Sequence, residues 1–381
     1  MTELAFTVGA KSSLLAIVML CVLAGCADRP GPELLRDSQI SVPGAHNVTV
    51  YVATTRQRDP NDQRAFTSER ASRVSYGEYT ISIPPNHRPG NIEWPTRHID
   101  PARHFTVVSS RTLDRGAFER EVGRQRGGQL PDVGVFVHGY NTNFQEALFR
   151  MAQMTADAGI EDAAPILFAW PSEGSIAGYV ADKDAVTYSR DELVALLVRL
   201  AAQRTRGATT VVGHSMGGWL TAEALRQLRL TGKDGVVARL QVILAAPDID
   251  IDVFRAQIGV IGRLSPPLAI LVSRDDLALR ASQLLTIERP RLGTLDVNDP
   301  GVEEVTRAAG VQVVDISDLT TADAFRHDRF AALATLYPKL SGRNADGRNS
   351  GLRQAGAFVF NAVGATISSP FVLAGRVVGG E

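Results

Sequence analysis

The sequence predicts an α/β chain with a mostly parallel central sheet, helices on both faces and an antiparallel N-terminal start. Three observations carry this reading. From Asp132 onward, short apolar runs alternate with segments of helical spacing, the pattern of parallel strands joined by crossover helices. Upstream, residues 47–125 show short β-branched runs separated by a loop-rich stretch with the turn signal Pro89-Gly90. Finally, the run Thr209-Thr210-Val211-Val212 ends in Gly213-His214-Ser215-Met216-Gly217, where a strand passes through a sharp turn into a helix.

Taken in order, the first 25 residues fall outside the fold. An apolar stretch at 14–25 follows Lys11 and has the length of a secretory signal rather than of a membrane span. It ends Leu23-Ala24-Gly25-Cys26, which resembles the lipobox of bacterial lipoproteins. The resemblance implies cleavage before Cys26 and a lipid on its thiol. The protein is then exported and held at the cell envelope, anchored to the inner or outer membrane and facing the periplasm. The other cysteine, Cys21, is lost on cleavage, so no disulfide is expected. Residues 26–46 read as a polar tether and 47–340 as the folded domain. Antiparallel strands are expected at Val48-Thr49-Val50-Tyr51-Val52, Tyr79-Thr80-Ile81-Ser82-Ile83 and Phe105-Thr106-Val107-Val108. Parallel strands are expected at 133–137, 166–169, 209–212, 240–245, 268–272 and 311–314. The helical segments are 144–158, with Asn143 as N-cap, 185–203, 216–230, 252–258, 277–284 and 330–337. Residues 341–381 comprise a linker and a segment uncharged from Gln354 to Gly375. That segment is long enough to span a bilayer, but Asn361, Ser368-Ser369 and Pro370 favour peripheral packing.

Composition narrows the function. The chain of 381 residues is 44% hydrophobic and 21% charged, with a formal net charge of −1. That is enough apolar material for a full core and too neutral for a nucleic-acid partner. The seven histidines are scattered and no metal-ligand spacing appears, so neither metal nor cofactor is expected.

The pentapeptide around Ser215 reads as the nucleophile elbow of an α/β-hydrolase. A serine hydroxyl needs a base to take its proton and donors to stabilise the oxyanion it creates. The strained turn holds the hydroxyl clear of the backbone, and the amide of Met216 opens a helix whose dipoles favour negative charge. In this fold the order along the chain is serine, acid, histidine. Six of the histidines precede Ser215, leaving His327 as the base. The acid must sit at a strand end on the serine's side. Asp276, after the strand at 268–272, is the first choice; Asp275 and Asp248 are alternatives, with Asp250, Asp252, Asp315 and Asp318 behind them. The second oxyanion donor is expected from His138-Gly139-Tyr140-Asn141, through the amide of Tyr140. His138 itself reads as a structural histidine.

Several motifs occurring in order resemble the bacterial "esterase/lipase superfamily" of α/β-hydrolases. They are Val135-Phe136-Val137-His138-Gly139-Tyr140-Asn141, Phe168-Ala169-Trp170-Pro171-Ser172, the elbow, Ala246-Pro247-Asp248-Ile249-Asp250 and Ser273-Arg274-Asp275-Asp276-Leu277-Ala278-Leu279. The N-terminal Tyr51-Val52-Ala53-Thr54-Thr55-Arg56 and Ser82-Ile83-Pro84 are also similar, so the resemblance spans roughly residues 47–340. It implies a triad on Ser215, Asp276 and His327, with the acid at the second aspartate of the pair. Tyr140, Phe144, Trp170 and Tyr179 are expected pocket walls, and the stretch from Trp170 to Tyr188 a lid or specificity loop. With neither a cationic clamp for phosphate nor a large acyl-chain groove in sight, a small to medium carboxylic ester is the expected substrate. A peptidase or amidase of the same fold, or a non-catalytic envelope binding protein, are the alternatives.

Overall fold

A computed structural model describes residues 29–40, 42–95, 99–124, 132–159, 163–203, 209–286, 289–319, 321, 323–334 and 371–372. The signal segment, Cys26 and the uncharged C-terminal segment, apart from 371–372, lie outside the described residues. Ten strands form one sheet: β1 (His46–Arg58), β2 (Phe66–Ile83), β3 (Thr106–Leu113), β4 (Val133–Val137), β5 (Ala164–Ala169), β6 (Thr209–His214), β7 (Leu240–Ala245), β8 (Ala269–Val272), β9 (Gln312–Asp315) and the two-residue β10 (Phe371–Val372). Their spatial order is β10-β9-β8-β7-β6-β4-β5-β1-β2-β3. All pairings from β10 to β1 are parallel, and β1-β2-β3 form an antiparallel edge. The helices are α1 (Arg115–Val122), α2 (Phe144–Ala158), α3 (Tyr179–Ala202), α4 (Met216–Leu230), α5 (Asp234–Val237), α6 (Ile251–Ile261), α7 (Leu277–Leu285) and α8 (Pro300–Ala309).

Period-two alternation divides the interior strands between two cores. Val135 and Val137 face the core built with α3, α4 and α6, while Phe136 between them faces the core built with α2. Both faces are covered, so β4 and β5 are buried at every position, which is why they read as unbroken apolar runs. Helix α2 starts where the sequence places it because Asn143 and Glu146 form a capping box, each side chain accepting from the other's backbone N–H at 2.9 and 2.8 Å.

Several elements differ from expectation. β2 begins at Phe66, and its first half carries polar residues because both its faces there are largely open to solvent. Helix α1 occupies part of a segment read as strands, and α8 was not expected at all; Asp299 and Pro300 start it, the aspartate accepting from the Gly301 and Val302 amides. Helix α3 begins at Tyr179 rather than 185. Part of the segment read as a tether lies on the domain: the 3-10 turn Pro32–Leu35 buries Leu34 and Leu35 in the α2-side core.

The chain leaves β4 for β5 on one side, then returns to β6 on the other. Open parallel sheets form a crevice at the carboxyl ends of strands where the order reverses in this way. The loops after β4 and β6 meet there, and they carry Tyr140 and Ser215.

Candidate active site

The elbow is held by its backbone. Ser215 adopts φ 54° and ψ −122°, a region costing a non-glycine residue on the order of 1–3 kcal/mol. Hydrogen bonds hold it there: its N–H donates to the Ala245 carbonyl at 3.0 Å, and its carbonyl accepts from Gly218 and Asp248 at 2.9 and 3.2 Å. Two glycines allow the close approach. A Cβ on Gly217 would lie 2.2 Å from the Val137 carbonyl oxygen, and one on Gly139 would lie 2.8 Å from Ser215 Cβ.

Ser215 opens onto a cavity of about 470 Å³, which His327, Tyr140, Tyr179, Asp248 and Arg150 also line. His327 follows β9, and its Nδ1 donates to Asp276 Oδ2 at 2.7 Å. Asp276 follows β8 and is fully buried; its other oxygen accepts from the Leu279 N–H at 2.9 Å, so one carboxylate both orients the imidazole and caps α7. Burial disfavours a charged His327, but the charge and hydrogen bond of Asp276, helped by Asp328 and Asp323, outweigh it and raise its pKa to about 9. Ser215 and His327 face the same space without a hydrogen bond between them, a contact that hydrolase sites commonly tighten only with substrate bound.

The alternative acids are engaged elsewhere. Asp275 binds Arg329 and, at 2.7 Å, Arg326; its hydrogen bond with Arg329 above all holds its carboxyl well below the usual carboxylate range. Asp248 pairs with buried Arg291 at 3.1 Å and accepts from Ser282 and Tyr179 at 2.7 and 3.0 Å. Asp250 caps α6, Asp252 pairs with Arg255 at 2.8 Å, and Asp315 lies 3.1 Å from Arg274 Nε. Asp318 sits exposed in the turn after β9.

Met216 is the first residue of α4, so its amide has no intrahelical partner, and the Tyr140 amide has no acceptor among the described residues. The loop carrying Tyr140 is braced on all sides. Asp182, fully buried, accepts from the Asn141 N–H at 3.2 Å, the Ser172 hydroxyl at 2.6 Å and the Glu173 N–H at 2.7 Å. Buried Arg56 donates to the carbonyls of Thr142 and Ser172 at 2.8 and 3.1 Å. Arg29 donates to Asn141 Oδ1 at 2.7 Å and to its carbonyl at 2.6 Å. These braces fix Asn141 at φ 54°, a conformation asparagine tolerates better than most residues.

Two histidines support the site without charge. His138 is buried, stacked on Trp170 at 4.8 Å, with ring nitrogens 2.9 and 3.1 Å from the Gly139 and Trp170 carbonyls. Burial, reinforced by Arg56, lowers it to about 3. His214 lies between the rings of His327 and Phe330, each at 4.4 Å, and its Nε2 donates to the His327 carbonyl at 3.3 Å. Burial and the neighbouring His327 lower it to about 3 as well.

Two expected walls are corrected. Trp170 is fully buried with its indole N–H donating to the His138 carbonyl at 2.7 Å, and Phe144 packs on Phe66 and Tyr79; neither lines the cavity. Both are core aromatics because their side chains leave the strand end and the helix start away from the crevice. Tyr140 and Tyr179 do line it. Arg29, Arg150 and Asp182 carry no local motif, since each acts through partners distant in the chain; His214 lies in the elbow, but only the fold sets its ring between those of His327 and Phe330. Among the described residues no group of three or more His, Cys, Asp or Glu side chains is placed to hold a metal, and no helix is long and apolar enough to cross a membrane.

A doubly covered parallel sheet with a strained serine at the turn after a central strand defines an α/β-hydrolase. The family model described as "Alpha/beta hydrolase of unknown function (DUF900)" matches residues 115–344, more than half of the chain, and the protein belongs to that family. The matched span starts at α1, leaving the antiparallel strands outside it. No curated protein matches the chain.

Proposed function

We propose that the protein is a serine hydrolase of carboxylic esters, held at the bacterial envelope by a lipid on Cys26. The observation that carries this reading is the His327–Asp276 couple at 2.7 Å, opening with Ser215 onto one cavity. Ser215 Oγ attacks the acyl carbon while its proton passes to His327 Nε2. The amides of Met216 and Tyr140 hold the oxyanion. Collapse of the tetrahedral adduct breaks the ester C–O bond, and His327 returns the proton to the departing alkoxide. Water, losing its proton to His327, then attacks the acyl-enzyme and releases the carboxylic acid, restoring the Ser215 hydroxyl. Asp276 fixes the tautomer that leaves Nε2 free to accept.

The test uses the full chain, extracted in detergent, with p-nitrophenyl acetate and the matching anilide. Ester turnover exceeding amide turnover, and falling at least about 1,000-fold in Ser215→Ala, supports the reading. Amide turnover matching the ester would make it an amidase. Turnover untouched by Ser215→Ala would remove the proposed nucleophile.

A further inference from the structure

Helix α7 is apolar on the wrong side. It buries only Leu279 and Ser282, while Leu277, Ala281, Leu284 and Leu285 face solvent at the three- and four-residue spacing of one helical stripe. Ile176, Val180 and Phe325 continue this surface. The large members, Leu277, Leu284, Leu285, Ile176, Val180 and Phe325, are between 40% and 74% exposed. They adjoin the cavity mouth: the Leu277 N–H donates to the Phe325 carbonyl at 3.0 Å, and Val180 follows Ile176 by about one helical turn at the start of α3. Ile176, Leu285 and Phe325 also line the catalytic cavity, so the apolar surface forms its rim. Water-facing leucines on a helix that opens into an active site mark a surface built to meet something apolar.

The start of the described chain says what that is. Arg29 lines the same cavity, and only Ala27 and Asp28 separate it from Cys26, three Cα steps spanning at most about 11 Å of extended chain. A lipid on Cys26 therefore enters the membrane beside the cavity mouth. We propose that this rim docks on the lipid bilayer, with the cavity facing the membrane and taking esters directly from it. The proposal deepens the esterase reading by naming its substrate as lipid-borne, and it rests on that reading for the chemistry and for the lipid on Cys26. Arg280, exposed between the leucines, fits a helix lying in the headgroup layer, where a long cationic side chain reaches phosphate while the stripe enters the acyl region.

The first test is independent of catalysis. The full chain carrying Leu284→Cys is labelled with an environment-sensitive fluorophore and reconstituted into dioleoylphosphatidylcholine vesicles containing dibrominated phosphatidylcholine. Leu230→Cys is the control, since Leu230 is equally apolar and exposed but sits about 22 Å along α4 from Ser215. The parent chain labelled in parallel gives the background from its own cysteines. Bromine quenching at the first position and not at the second is expected. Equal quenching at both, or none at either, overturns the proposal. So does a label at the first position that is already buried without lipid, which would show the rim covered by protein. The second test is kinetic: Val180→Ser combined with Leu284→Ser should lower kcat/KM for a fluorogenic long-chain ester in those vesicles about tenfold, leaving soluble p-nitrophenyl acetate within about twofold. Equal losses on both esters would mean the two side chains serve the fold, not docking. If the parent turns over neither ester, the hydrolase reading falls, while the quenching result still decides whether the rim meets the bilayer.

Discussion

Replacing Asp276 by Asn separates the electrostatic work of the carboxylate from its structural work. The oxygen facing the Leu279 N–H survives as the amide oxygen, so the α7 cap is kept. The oxygen 2.7 Å from His327 Nδ1 becomes an NH₂, which must donate. That forces the imidazole into the tautomer whose Nε2 carries a proton and cannot accept one from Ser215. The charge is lost too. Raising the imidazole from its ordinary value to about 9 corresponds to about 3 kcal/mol of preference for the cation, and most of it comes from Asp276. In the parent, the basic form of His327 accumulates only toward pH 9, so kcat/KM for p-nitrophenyl acetate should rise through neutrality with a midpoint above that of free histidine. In the variant, burial dominates, the rising limb should move down by about two pH units, and the rate at pH 9 should fall about 10³–10⁴-fold. Linkage adds a stability check. A folded-state pKa above the unfolded value stabilises fully below the unfolded pKa of about 6.5, and that contribution disappears as pH climbs through 9. The parent should therefore lose a few degrees of Tm over that range, and the variant much less. Retention of activity within tenfold and an unmoved pH limb, with Asp275→Asn as the damaging change, would refute the reasoning.

Two further outcomes follow from the geometry of the crevice. Gly217→Ala places a methyl 2.2 Å from the Val137 carbonyl oxygen, against backbone that cannot yield, so α4 must leave β4; ester turnover should be abolished and Tm should fall by several degrees, read by circular dichroism. Asp182→Asn keeps the shape of the brace but turns one acceptor into a donor, facing either the Asn141 N–H and the Ser172 hydroxyl together or the Glu173 N–H. It should lower kcat about 10- to 100-fold with KM little changed, because the Tyr140 amide is mis-set for the oxyanion only.

How far the sequence reaches is clear from particular elements. The interior strands and α2, α4 and α7 are legible because a strand covered on both faces must be apolar throughout, because Asn143 caps α2 by local chemistry, and because the elbow and helical apolar spacing mark the others. The first half of β2 is not legible: paired at the sheet's edge and wet on both faces, Thr67-Ser68-Glu69-Arg70 looks like loop. Aromatic identity alone could not sort Tyr140 and Tyr179, which reach the cavity, from Trp170 and Phe144, which pack inward. The resemblance puts Asp276 ahead of its equally acidic neighbour Asp275, and the fold supplies the physical reason: Arg329 and Arg326 take the first while His327 meets the second. Arg29 was invisible for a different reason, since nothing in a polar stretch reveals that its guanidinium folds back onto Asn141.

The central claim is that Ser215 is a nucleophile activated by His327. The most direct measurement treats the full chain with a fluorophosphonate probe and maps the adduct by peptide mass spectrometry, alongside Ser215→Ala and His327→Ala. An adduct on Ser215 in the parent, absent from the first variant and strongly slowed in the second, is the predicted result. A folded parent that takes no adduct, or takes it on another residue, would contradict the account.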